Sequence, residues 1–69
     1  MINSIDTYTH AGTKAGTAAR HRDMATARHW TDWSNRAARL EAEPHRTQAR
    51  EAFRSSYRAA ATRTPRPFA

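Results

Sequence analysis

Large apolar side chains are so scarce in this chain that they set the terms of any fold it can adopt. Ile2, Ile5, Tyr8, Met24, Trp30, Trp33, Leu40, Phe53, Tyr57 and Phe68 are nearly the whole supply, valine is absent, and alanine makes up most of the remaining hydrophobic fraction. With only 69 residues the chain has room for one domain at most, and a domain so small buries a lesser share of its surface than one of ordinary length. Mini-proteins of this kind need a disulfide framework, a metal or an oligomeric partner; cysteine is absent, which closes the first route. Few bulky aliphatics beside a formal charge of +6 also describe a chain that folds only when bound. High helix propensity and two tryptophans argue for folding.

Pro44 divides the sequence. Before it, Ser4 to Glu43 holds no proline and reads as helix, with Ser4 as N-cap and Asp6 in the first turn, where an acidic group complements the helix dipole. The repeat AGTK/AGTA sets Gly12 and Gly16 four apart. Each glycine costs about 1 kcal/mol against alanine in a helix, so this stretch is where the first helix is expected to bend or break. After it, Pro44 sits at the start of a second helix, where its missing N–H costs nothing, and Thr64-Pro65 ends that helix. The resulting expectation is all-α: an antiparallel two-helix hairpin over residues 1–62, with helices at about 5–42 and 46–62, a turn at 43–45, and an extended Pro/Arg tail at 63–69.

Apolar spacing is consistent with that pairing. Tyr8, Gly12, Ala15, Ala19, Thr26, Trp30, Trp33, Ala37 and Leu40 step mostly by threes and fours, as do Ala49, Phe53, Tyr57 and Ala60. Folding about Pro44 sets Leu40 near Ala49, Ala37 near Phe53, Trp33 near Ser56 and Trp30 near Ala60. At about 1.5 Å per residue the second helix reaches back only to Thr26. The Tyr8 to Met24 half of the first helix is left without cover, to be filled by Phe68 of the tail or by a second copy of the chain, so a homo-oligomer is expected. In plan alone such a hairpin resembles the Rop type, which dimerises into a four-helix bundle; no motif residues carry that likeness and no function is carried over with it.

The strongest surface pattern is Arg46, Arg50, Arg54 and Arg58 at i,i+4 spacing, extended by Arg63. Steps of four drift about 40° each, so the guanidinium groups form a slanting row with only Glu51 nearby. Such a row can track phosphates and release counterions, giving affinity without sequence reading. It is also what a solvated face looks like when arginine stems shield alanine-rich surface. Arg20 and Arg22 form a possible second basic patch beside Asp23, whereas Asp32 is positioned to pair with Arg28 and Arg36, and Glu43 with Arg39. Arginine outnumbers lysine eleven to one, which suits bidentate phosphate or carboxylate recognition but also follows from GC-rich coding. Trp30 and Trp33 read first as core and second as anchors for a protein interface.

Other chemistries find little support. No two of His10, His21, His29 and His45 are three or four apart, so no helical metal site is expected. His29, Asp32 and Ser34 point in different directions on one helix and cannot form a catalytic relay. Gly12 and Gly16 lack the preceding strand of a phosphate loop. A helix-turn-helix is set aside because the first helix reads as too long and the three-helix framework as absent. No segment is apolar enough to span a membrane, and no signal peptide is evident, making the cytoplasm the default. The chain is therefore expected to be a non-enzymatic, cofactor-free protein binding DNA or RNA with low sequence specificity, of a size and composition that suit a bacterial plasmid or phage accessory protein. The alternative is a regulator or inhibitor docking its basic face on an acidic protein surface.

Overall fold

A computed structural model describes residues 2–63, and these form three helices and no strand: α1 (Ile5–Arg20), α2 (Met24–Arg39) and α3 (His45–Ala61). The all-α expectation holds; the two-helix hairpin does not, because the long first helix is interrupted. The expected tail beyond Arg63, Phe68 included, lies outside the described residues.

The interruption falls at residues 21–23, and the glycines have no part in it. His21 caps α1, Arg22 takes a left-handed conformation at φ 62°, and the amides of Arg22 and Asp23 donate back to the carbonyls of Ala19 and Ala18 at 3.0 and 2.8 Å. This is a Schellman closure, usually made by glycine and made here by arginine. Asp23 then starts the next helix by accepting the Thr26 amide at 3.2 Å, as an N-cap aspartate does. Ending one helix and capping the next within three residues turns the chain back on itself. α2 runs antiparallel to α1, with the rings of Tyr8 and Trp33 centred 5.8 Å apart and those of His10 and Trp30 6.0 Å apart.

Gly12 and Gly16 stay helical and buried because α3 lies directly on them. A β-carbon on Gly12 would run into the Phe53 carbonyl oxygen and the Ser56 hydroxyl; one on Gly16 would meet the Tyr57 carbonyl and stand 2.8 Å from the Ala60 β-carbon. The half of the first helix expected to lie bare is thus covered by the chain's own third helix. Residues 12 and 16 of α1 match 53–56 and 57–60 of α3, so these two helices run parallel.

α1 lies in the middle and packs on both neighbours, most extensively on α3, while α2 and α3 meet much less. The Cα envelope measures 43 × 25 × 12 Å. Because α2 and α3 meet much less than either meets α1, the helices sit more nearly side by side in a layer than around a shared axis. A layer asks only for narrow two-helix seams, and Ala11, Ala15, Ala18, Ala27, Ala49 and Ala60 supply them. Of the expected α2–α3 pairings, Ser56 packs at Gly12 and Ala60 at Gly16 instead of beside the tryptophans. Leu40 is 70% exposed. Ala37 and Ala49 do share a core cluster, but it is centred on Tyr8 and flanked by Ile5, Trp33 and Ala52.

The turn into α3 is organised by two glutamates. Glu43, preceding a cis peptide to Pro44, accepts both the amide and the hydroxyl of Thr47 at 3.0 and 2.8 Å and caps the helix that Pro44 cannot. Glu41 is buried and takes the amides of Ile2 and Asn3 on its two oxygens, each at 2.8 Å, and the Tyr8 hydroxyl at 2.8 Å. The start of the chain is thereby tied to the α2–α3 turn, with His45 Nε2 against the Asn3 carbonyl at 2.6 Å.

Candidate functional site

The arginine row divides into parts with different duties. Arg46 is half-buried and folds into the turn, its Nε donating to the Glu41 carbonyl at 3.0 Å and its guanidinium 3.9 Å from Glu43. These contacts tie Arg46 to the turn at the foot of α3. Arg50, Arg54, Arg58 and Arg63 are exposed and make no ion pair among the described residues. The pairs expected on α2 are not formed either: Asp32 engages neither Arg28 nor Arg36, and Glu43 turns to Arg46 and Thr47 instead of Arg39. The reason is that Glu43 lies past the end of α2, where helical spacing no longer applies.

Arg20 and Arg22 are exposed at the C-terminal end of α1. Because α1 and α3 are parallel and Gly16 matches Tyr57 and Ala60, this is the end at which Arg58 and Arg63 also stand. Two patches that are far apart in sequence therefore come to one end of the layer, where Asp23 is the nearby carboxylate and is occupied in capping α2. Its link to Thr26 holds the Asp23 carboxyl below the usual carboxylate range, so it remains charged there. The C-terminal ends of α1 and α3 carry the negative poles of their helix dipoles, which favour cations at this end.

Farther along α3, a groove of about 370 Å³ opens toward α2. One wall is Arg50, Phe53, Arg54 and Tyr57. The facing wall is Thr31, Ser34 and Asn35, so no carboxylate lines it. Phe53 and Tyr57 are half-buried and stacked at 29°, with centroids 6.0 Å apart. Sequence reasoning assigned both rings to the seam with α2; the divergence of α2 and α3 leaves them on the side of a groove.

Trp30 and Trp33 are half-buried along the α1–α2 seam. They meet edge to face at 6.4 Å, and Trp30 also meets the His29 ring at 5.5 Å. Each packs part of its ring on α1, Trp33 on Tyr8 and Trp30 on His10, and keeps the rest open to solvent. Among the described residues no group of three or more His, Cys, Asp or Glu side chains is arranged to hold a metal ion, and no helix is long and apolar enough to cross a membrane.

Sequence reasoning passed over Glu41. Burial pushes its carboxyl up, but the amides of Ile2 and Asn3, the Tyr8 hydroxyl and the neighbouring His45 outweigh burial and hold it down to about 2. A signal was present: an acidic residue just past the end of a helix is electrostatically misplaced, which asks for partners elsewhere. The helix-turn-helix question also changes its ground. A three-helix framework does exist, but α2 packs antiparallel on α1 across their three-residue turn, whereas that motif joins its two helices at about 90–120°.

Fold and surface together define a small basic three-helix layer whose exposed cations are arginines and the single Lys14. No protein-family model, no characterised protein and no solved structure matches the chain.

Proposed function

We propose that this protein binds nucleic acid with low sequence specificity, through the arginines of α3 and the arginine-rich end of the layer. The observation that carries this reading is the freedom of Arg50, Arg54, Arg58 and Arg63 from ion pairs among the described residues, on the element whose end adjoins Arg20 and Arg22. A solvated face on a protein this size is ordinarily laced with both signs of charge; α3 carries one carboxylate, the exposed Glu51, against four arginines. Guanidinium groups in a row neutralise successive phosphates and liberate counterions, which supplies affinity but no base reading. Trp30 and Trp33 pack on His10 and Tyr8 of α1, which leaves less of each ring to anchor an acidic protein partner.

Binding of a labelled oligonucleotide, followed by fluorescence anisotropy across a salt series, tests the reading. Log affinity falls linearly with log salt, and Arg54→Ala or Arg58→Ala lowers the slope by about one ion. Arg46→Ala, which alters the turn, leaves the slope nearly intact. Absence of binding at about 50 mM salt, where phosphate contacts are strong, ends the proposal.

A further inference from the structure

We infer that the groove between α2 and α3 seats an unstacked base of a single strand, with Phe53 and Tyr57 as the stacking wall and Arg50 and Arg54 holding the flanking phosphates. This rests on the nucleic-acid reading and narrows it to the single-stranded form.

The argument begins with spacing. Phe53 and Tyr57 are one turn apart on α3, and so are Arg50 and Arg54, so aromatic and cationic groups alternate along one side of the helix. Alternation of that kind is what sequence-tolerant single-strand binders use: cations follow the backbone while rings take the bases, because every base has a π-face. In a duplex the faces of the bases are occupied by their neighbours, so aromatic walls offer it nothing beyond the charges beside them.

The groove has the size and lining for this. About 370 Å³ lies at the small end of ligand pockets, which run from about 300 to 1,000 Å³, room for a single planar group. No carboxylate lines it to repel a phosphate, and the exposed Asn35 amide on the facing wall offers donors and an acceptor to a base edge. The two rings stay half-open although large apolar groups are in short supply for the core, while alanines fill the seams.

The test compares wild type with Phe53→Leu and Tyr57→Leu on a single-stranded oligonucleotide and on the duplex of the same sequence, by anisotropy at fixed salt, with helicity followed by circular dichroism. Each substitution weakens single-strand binding about ten-fold, leaves duplex binding within about two-fold, and does not change the salt slope because no charge is lost. Equal losses on both forms, or no loss on the single strand, overturn the inference while leaving the basic-surface reading standing. No binding of either form by wild type overturns both. Should either variant lose helix content, photocrosslinking of a halogenated-uracil single strand to the wild-type protein decides instead: adducts on Phe53 or Tyr57 support the groove, and adducts confined to other residues refute it.

Discussion

The Tyr8 hydroxyl donates to the Glu41 carboxylate at 2.8 Å across thirty-three residues of sequence, and neither side chain has more than 1% of its surface exposed. This bond joins the first turn of α1 to the end of α2. With the Ile2 and Asn3 amides on the same carboxylate, it secures the end of the layer farthest from the arginine cluster.

Tyr8→Phe keeps the ring and its packing on Trp33 but removes the donor to a buried anion. A hydrogen bond to a charged group contributes about 1.5–3 kcal/mol, and a loss of that size is expected in urea unfolding. An unchanged midpoint would mean that water replaces the phenol at no cost.

Acid should weaken the fold through Glu41. Its carboxyl is held down to about 2 from an ordinary 4.5, so its contribution is complete above the unfolded-chain value and is lost as pH falls from there toward the folded one. Melting followed by circular dichroism is expected to show a steeper fall over that window for wild type than for Glu41→Gln, which has no such proton to take up. Parallel curves would remove Glu41 as the source.

Gly12→Ala sets helix propensity against packing. Alanine is favoured by about 1 kcal/mol within a helix, but its β-carbon would strike the backbone carbonyl of Phe53, which cannot swing aside as a side-chain tip can. Overpacking of this kind costs about 1–3 kcal/mol, and the net effect in chemical denaturation is expected to be destabilising. A stabilised variant would show that α1 and α3 are not in this close register.

Arg22→Gly is expected to act in the opposite direction. A left-handed conformation costs a residue with a side chain about 1–2 kcal/mol and glycine almost none, and the exposed Arg22 side chain makes no hydrogen bond or ion pair among the described residues. A gain of about 1 kcal/mol in unfolding free energy is expected. No gain, or a loss, would place the α1–α2 turn elsewhere.

The helical character of the chain, the start of its last helix at Pro44 and the row of arginines could all be read from residue types and spacing, because propensity, capping and i,i+4 geometry are local. Even the α1–α2 break had local signs in Asp23 and the chain before it, but the glycines drew attention as the weaker helix formers. What glycine does at positions 12 and 16 depends on what lies against it. That became visible only once α3 was in place.

Local chemistry thus determined that this chain is helical, basic and poor in bulky apolar groups. Tertiary packing decided the rest: α3 lies parallel on the α1 glycines, Arg20 and Arg22 share an end with Arg58 and Arg63, Arg46 is drawn into a turn, and Glu41 becomes a buried anchor. The division has one physical cause. Helix formation is governed by neighbours within about four residues, whereas the choice of partner face depends on how closely two backbones can approach, which neither strand of sequence reveals by itself.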